Sequence, residues 1–204
     1  MNTTNSALII FTRNPELGKC KTRLAKTIGD EAALRIYIFL VEHTAKIARS
    51  LPDADLRVYF SDFIGEDNHY WHSNLFSKHL QQGEDLGSRM ERAFTETFNA
   101  GYEKVVIIGS DLYDLHVSDL VAAFDALESH EAVLGPASDG GYYLLGLKKV
   151  IPSLFADKAW GTSTVLESTL ENLAKTPTYI LAKKNDIDRY EDIAGNPVFE
   201  SLIP

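Results

Sequence analysis

KVVIIGSD, residues 104–111, is the stretch from which the fold of this chain can be read. Its apolar, mostly β-branched first part is the clearest buried strand in the sequence, and a glycine, a serine and Asp111 follow directly. A carboxylate at the end of a buried strand loses hydration, which costs free energy unless a positive charge meets it. Asp111 therefore either binds a cation or caps the next turn, and this stretch alone leaves both interpretations open.

Outward from this strand, short apolar runs alternate with segments of helical periodicity. The predicted strands cover 7–12, 56–61, 79–82, 104–109, 132–135, 142–147 and 178–181. The predicted helices cover 30–50, 86–99, 117–127 and 162–174, with a further short helix within 64–79. This alternation predicts an α/β three-layer sandwich with a mostly parallel mixed sheet. Ligands of such sheets bind beyond the carboxyl ends of the strands, so functional residues are expected directly after strands.

Composition and charge exclude several classes of protein. The 204 residues predict one domain over 1–204, with residues 1–6 as a loose lead-in. No apolar run approaches the roughly 20 residues of a membrane span, and no signal peptide is evident, so we expect a cytoplasmic protein without a membrane partner. The single cysteine, Cys20, excludes an internal disulfide and a cysteine-rich zinc site. A net charge of −9 argues against a nucleic-acid partner, whereas a homo-oligomer remains compatible with the sequence.

A basic island follows the first strand. Residues 13–26, RNPELGKCKTRLAK, carry a local charge of +4 in an otherwise acidic chain. Gly18 permits close approach to the backbone, and Lys21 and Arg23 lie at or just before a helix start. Exposed N–H groups at a helix N-terminus combined with cationic side chains suit phosphate, although the glycine spacing fits neither a P-loop nor a dinucleotide motif. The alternative is a solvated helix start.

Two later segments carry further candidate residues. In GPASDGGYYLLGL, 135–147, the glycine pair fits a hairpin turn, but the connection with Ser138 and Asp139 is longer than a hairpin needs and could line a pocket. In NDIDRYEDI, 185–193, Asp186 and Asp188 alternate; Asp188 could complete a metal site, and helix capping is the alternative for this acidic cluster.

Arg89 and three histidines remain to be placed. Arg89 lies in the first turns of helix 86–99 and either touches a ligand or pairs with Glu84 or Glu91. The spacing of His69, His72 and His79 fits no zinc motif, and these residues are expected on a surface helix.

The motifs together resemble those of a bacterial glycosyltransferase-like family, the radical-SAM/selenodomain-associated transferase type. That family is similar in turn to 2-phospho-lactate guanylyltransferases and molybdenum-cofactor nucleotidyltransferases. The resemblance covers about residues 7–194 and rests on RNPELGKCKTRL, QQGEDLGSRM, IGSD, GPASDGGYYLLGL, WGTSTVL and DIDRYED. GPASDGGYYLLGL is its most specific part, and the implied fold is of the GT-A, nucleotide-diphospho-sugar-transferase-like type.

The resemblance also implies a metal-dependent transferase with a nucleotide substrate. Lys21, Arg23 and Asp111 would be its catalytic residues, with Mg²⁺ or Mn²⁺ on Asp111 and, less directly, on Asp188. The residues expected to bind the nucleotide phosphates are Arg13, Gly18, Lys21, Thr22, Arg23 and Arg89. The residues expected on the acceptor or sugar side are Ser138, Asp139, Gly140, Gly141, Tyr142 and Trp160. Tyr113 and Tyr190 stand where relatives have proline, which fixes φ, so the loops at the metal site could differ.

Three functions are compatible with these motifs. The basic island favours nucleotidyl transfer from an NTP to a small anionic acceptor, with release of pyrophosphate. Glycosyl transfer from an NDP-sugar is the second, although Asp111-Leu112-Tyr113-Asp114 is one residue longer than the D-x-D triplet that would support it. A non-catalytic nucleotide-binding module is the third, because the two tyrosines could alter the site.

Overall fold

A seven-stranded sheet forms the centre of the computed structural model, which describes residues 4–65 and 69–203. The strands are β1 (Ser6–Thr12), β2 (Asp55–Phe60), β3 (Phe76–Leu80), β4 (Lys104–Gly109), β5 (Ala132–Pro136), β6 (Tyr142–Leu147) and β7 (Thr178–Ile180). Their order in the sheet is β3-β2-β1-β4-β6-β5-β7. Only β6 is antiparallel to its neighbours, β4 and β5, within this sheet, and the other pairs are parallel. The predicted mixed, mostly parallel α/β fold is confirmed.

Helices cover both faces of the sheet. They are α1 (Thr22–Ile28), α2 (Asp30–Arg49), α3 (Leu86–Asn99), α4 (Val117–Ser129), α5 (Val165–Leu173) and α6 (Pro197–Glu200). Because side chains alternate along a strand, Leu8 and Ile10 pack against α2 and α4, while Ile9 between them packs against α3 and α5. The two cores on opposite faces make the three predicted layers.

Several local predictions need correction. β1 begins at Ser6, within the expected loose lead-in, of which residues 1–3 lie outside the described residues. Of the helix expected within 64–79, residues 66–68 also lie outside them. The described 64–65 and 69–75 contain no helix, with a bend over 69–71 and a turn over 73–75. β3 starts at Phe76, three residues before the predicted strand.

The helix predictions also change at their ends. Gly29, and not Asp30, is the N-cap of α2, since the preceding α1 runs to Ile28 and leaves a single residue between the two helices. α5 begins at Val165, so the residues from 162 precede the helix as a turn.

The carboxyl ends of β1, β4, β5 and β7 meet at one edge of the sheet, which positions the loops after these strands together. Ala137 pairs with Lys184, which lays the loop after β7 beside the turn between β5 and β6. The Ile187 N–H then donates to the Asp111 carbonyl at 3.2 Å, so the same loop also reaches the end of β4. Among residues 4–65 and 69–203, no helix has the length and apolar character needed to cross a membrane.

Candidate functional site

An ion pair between Lys21 and Asp111 joins the loops that follow β1 and β4. Lys21 Nζ donates to Asp111 Oδ2 at 2.8 Å, and the lysine side chain is only 7% exposed against 41% for the aspartate. Burial acts to lower the pKa of Lys21, but the negative charge and hydrogen bond of Asp111 outweigh it, and the pKa is raised. The ammonium therefore stays charged beside a carboxylate that remains open to ligands.

A buried hydroxyl cluster holds these two loops in place. Tyr37, on α2, shares hydrogen bonds of 3.2 Å with Thr12 Oγ1 and with Ser110 Oγ, and its hydroxyl accepts from the Arg13 N–H at 2.8 Å. Thr12 ends β1, and Ser110 precedes Asp111, so one phenol fixes the starts of both loops. On this helix, Leu34 and Ile38 are half-buried, whereas Ile36, Tyr37 and Leu40 lie in the core.

The remaining basic residues surround the start of α1. Arg23 Nη1 donates to Asp188 Oδ2 at 2.7 Å. Thr22 is the exposed first residue of α1, Gly18 has a positive φ of 73°, and the side chain of Arg13 is exposed. Arg89 lies apart from this group on α3, where its Nε donates to the Gly83 carbonyl at 3.0 Å. The structure thus brings together the predicted phosphate-binding residues of 13–23 and places Arg89 on a different element, the first turn of α3.

Asp186 is a site residue to which the sequence motifs assigned no role. It lines the same pocket as Asp111 and Asp139. Burial, followed by the negative charges of Asp111 and Asp139, raises its pKa to about 6. The alternation of Asp186 and Asp188 was the available signal, but only the fold shows that Asp186 faces the pocket while Asp188 pairs with Arg23.

A pocket of about 250 Å³ opens beside these carboxylates, between α3, the end of β4 and the start of β6. Its wall is mainly apolar and aromatic, with Phe11, Met90, Tyr142, Tyr143, Trp160 and Val165 among its residues. The charged side chains of its described lining are Asp111, Asp139 and Asp186, and no lysine, arginine or histidine is among them. Of the predicted acceptor residues, Asp139, Gly141, Tyr142 and Trp160 line the pocket.

The other two predicted acceptor residues belong to the turn between β5 and β6. The Ser138 hydroxyl and N–H both donate to the Lys184 carbonyl. Gly140 has a φ of 91°, and a Cβ there would lie 2.3 Å from the Ser163 carbonyl oxygen. The Gly140 carbonyl also accepts from the Leu166 N–H at 2.8 Å. Gly140 is therefore required for packing of the segment that carries Trp160. This packing explains the glycine without a bound ligand.

The oxygen donors at this edge suit a hard divalent cation. Asp111 and Asp186 offer carboxylates to one pocket, and their mutual repulsion would be relieved by a positive ion. Within 4–65 and 69–203, no three histidine, cysteine, aspartate or glutamate side chains form a group that could hold a metal. Mg²⁺ in nucleotide sites is commonly bound by one or two carboxylates, with phosphate oxygens and waters as its other ligands. Two carboxylates in this pocket would fit that pattern.

Tyr113, one of the two departures from the proline pattern, is fixed by packing. Its ring lies 4.9 Å from that of Phe199 on α6 and 5.2 Å from that of His43 on α2. Tyr190, the other departure, begins a single 3₁₀ turn and is 41% exposed. Aromatic contacts at Tyr113 thus replace the rigidity of a proline in the loop after Asp111.

The model of one protein family matches residues 44–162, more than half of the chain. The chain belongs to this family, uncharacterized protein conserved in bacteria (DUF2064). The matched region of this DUF2064 protein includes Asp111, the turn between β5 and β6, and Trp160. No functionally curated protein matches the sequence.

Solved structures extend the comparison to the whole chain. A protein from Desulfovibrio desulfuricans G20, provisionally described as a nucleotide-diphospho-sugar transferase, is 29% identical with a TM-score of 0.86, over 98% of this chain and 94% of its own. A cytidylyltransferase from Leptospira borgpetersenii is 14% identical with a TM-score of 0.57, over 90% and 78%. Rv0371c from Mycobacterium tuberculosis H37Rv, in complex with manganese, is 12% identical with a TM-score of 0.54, over 98% of both chains. The last two show the fold alone, and the expected fold type is confirmed.

Proposed function

We propose that this protein is a divalent-metal-dependent transferase that moves a nucleotidyl group from an NTP to a small molecule and releases pyrophosphate. The observation that carries the proposal is the Lys21–Asp111 pair, which joins a basic loop to a carboxylate at the carboxyl edge of the sheet. The fold shared with a cytidylyltransferase and a provisionally described nucleotide-diphospho-sugar transferase supports a nucleotide-using transferase.

The chain's own residues take distinct roles in this proposal. Lys21 and Arg23, with Arg13, Gly18 and Thr22 beside them, bind the triphosphate and stabilise the charge that develops on the departing pyrophosphate. The nucleophile of the acceptor attacks the α-phosphorus, and the bond from that phosphorus to the β-phosphate oxygen breaks. Positioning and electrostatics supply the catalysis.

Asp111 and Asp186 would hold the cation, Mg²⁺ or Mn²⁺. Such an ion neutralises phosphate charge and polarises the phosphate oxygens. Asp188, for which the resemblance also implied this role, accepts from Arg23 at 2.7 Å, and in this proposal it orients Arg23 toward the phosphates. The existence of a manganese complex of Rv0371c, which shares the fold, is compatible with a divalent cation in this proposal.

Glycosyl transfer from an NDP-sugar is the second candidate. It is favoured by the aromatic wall of the pocket, where Tyr142 and Trp160 could pack against a sugar ring, and by the description of the Desulfovibrio protein.

Four features stay predictions. They are the narrower likeness to radical-SAM/selenodomain-associated transferases, the single domain over 1–204, a homo-oligomer and a cytoplasmic location. The described lining of the pocket contains no cationic side chain that could pair with the expected anionic acceptor.

Thermal unfolding with each NTP and several NDP-sugars, with and without Mg²⁺, tests the proposal. A ligand at a hundred times its Kd stabilises the folded state by about 2.7 kcal/mol, a rise of roughly 5–10 °C in the midpoint for a chain of this size. We expect a Mg²⁺-dependent rise with an NTP that is lost in Asp111→Ala. A rise with NDP-sugars alone would favour glycosyl transfer, and binding without turnover over a broad acceptor panel would indicate a binding module.

Lys21→Ala separates a catalytic role from a structural one. We expect it to abolish pyrophosphate release over an acceptor panel while the protein still folds. Lys19→Ala is the matched control, because Lys19 lies in the same loop but pairs with Glu16 at the surface. Turnover by Lys21→Ala equal to that of the wild type would exclude the assigned role.

A further inference from the structure

The carboxyl edge of the sheet is divided by charge into two halves. On one side lie the cations of the loop after β1, with Lys21 and Arg23 held by Asp111 and Asp188. On the other side lies the 250 Å³ pocket, whose charged described lining residues are all aspartates. The cations of the loop after β1 could bind a triphosphate. A group that enters the pocket would instead lie close to carboxylates.

The rest of the pocket wall is apolar and neutral. The rings of Tyr142 and Trp160 meet edge to face, with centroids 6.5 Å apart. The Tyr142 hydroxyl is directed at Met90 Sδ, 3.9 Å away, and burial raises the pKa of this phenol, so it stays uncharged. This wall suits a ring or an aliphatic body, and its described lining contains no cationic side chain that could pair with an anionic group.

Asp139 keeps its half of the pocket negative even when a cation compensates Asp111 and Asp186. Its Oδ1 accepts the Gly141 N–H at 2.8 Å, which fixes the carboxylate at the pocket wall. Asp139 itself is exposed, so solvent weakens its repulsion of an approaching anion but does not abolish it.

We propose that the part of the second substrate that enters this pocket is uncharged or cationic, with an apolar or ring-containing body and a hydroxyl or amine group. The description of this molecule as a substrate rests on the proposed function, whereas the binding preference rests on the pocket alone. The proposal replaces the small anionic acceptor that was expected from the sequence together with nucleotidyl transfer. A hydroxyl or amine can donate to the carboxylates that line the pocket, whereas these carboxylates would repel a carboxylate or phosphate group.

Tryptophan fluorescence gives a direct readout of occupancy. The chain has two tryptophans, and Trp71 is 1% exposed in the core while Trp160 lines the pocket. Four probes share one ring and differ in charge: benzyl alcohol, benzylamine, benzoate and benzyl phosphate. Each is titrated in buffer with Mg²⁺ and in buffer with EDTA, and Trp160→Phe identifies the signal that comes from the pocket.

We expect benzyl alcohol or benzylamine to quench Trp160 at concentrations at least about fivefold below those needed by benzoate or benzyl phosphate, in both buffers. Asp139→Asn should reduce the ratio of the affinity for benzylamine to the affinity for benzoate by about fivefold. Asparagine keeps an oxygen that accepts from the Gly141 N–H but removes the negative charge. Asp125→Asn is the matched control, since it removes one exposed aspartate of α4 outside the pocket lining. It should leave the selectivity unchanged.

Tighter binding of benzoate or benzyl phosphate in the Mg²⁺ buffer would overturn the proposal, and so would quenching by none of the four probes. An unchanged selectivity in Asp139→Asn would overturn the role of this carboxylate. The outcome is separable from that of the proposed function, because it needs no nucleotide. Selectivity for anions with NTP binding intact would remove only this inference, whereas the expected selectivity without any NTP binding would remove only nucleotidyl transfer.

Discussion

At the scale of single residues, Lys21 combines two unfavourable features. It is a non-glycine residue in the left-handed region, with φ 49° and ψ 45°, and its ammonium is nearly buried. Such a backbone conformation costs about 1–3 kcal/mol and persists only where the surroundings enforce it. The ion pair with Asp111 offsets the loss of hydration, so the lysine acts as a local counter-ion for the carboxylate proposed to bind the metal.

Lys21→Met should therefore raise the affinity of the nucleotide-free protein for Mn²⁺. Removal of the ammonium leaves Asp111 without its partner. A positive charge this close to a carboxylate weakens the binding of a cation to that carboxylate roughly tenfold, so its loss should strengthen binding by the same factor. Titration of Mn²⁺ followed by electron paramagnetic resonance measures this directly. Lys19→Met is the control. An affinity equal to or weaker than that of the wild type would show that Lys21 does not compete for Asp111.

At the scale of elements, the turn between β5 and β6 connects the sheet to the segment that carries Trp160. The Gly140 carbonyl binds the first turn of α5, and the Gly140 Cα packs on the Ser163 backbone. Loop 137–141 also pairs with Lys184, so two segments that are distant in the chain depend on this turn. A small residue with access to positive φ is the one kind that fits here.

Gly140→Ala should destabilise the protein by about 3 kcal/mol. The alanine would have a strained positive φ, costing about 1 kcal/mol, and its Cβ would overlap backbone atoms of Ser163 that cannot move independently. Gly101→Ala isolates the first contribution, because Gly101 has a φ of 98° with nothing within 4 Å of its Cβ position. Urea unfolding of both variants measures the difference, and equal losses would contradict the steric argument.

At the scale of the whole molecule, local patterns predicted more of the fold than of the site. Strand and helix order follows from periodicity, and the position of Asp111 after the most apolar strand marks the edge of the sheet where the candidate site lies. Asp186 could not be assigned, because its surroundings depend on how the loop after β7 meets the end of β4. Tyr37 was missed because an apolar pattern cannot fix the rotation of a long helix to within one residue. The need for a glycine at position 140 arises from a contact with the backbone of Ser163, which is distant in sequence, so local sequence patterns do not predict it.

The stability of the whole chain should depend on pH through Asp186. Burial and the charges of Asp111 and Asp139 raise its folded-state pKa from 3.8 to about 6, so the folded state holds a proton that the unfolded state releases. The free energy of unfolding should then fall as the pH rises from about 4 to about 6, and the full cost should persist above that range. The expected loss is about 2–3 kcal/mol.

Asp186→Asn removes this dependence, because asparagine has no proton to release. Urea unfolding in EDTA should show that the variant gains stability over the wild type by about 2–3 kcal/mol between pH 4 and pH 7. The comparison at pH 4 serves as the internal control for changes in packing. A constant difference across this range would show that burial and the neighbouring carboxylates do not raise the pKa of Asp186. Mg²⁺ should shrink the gain at pH 7, since a cation bound by Asp111 and Asp186 stabilises the ionised wild type but loses one of its two carboxylates in the variant.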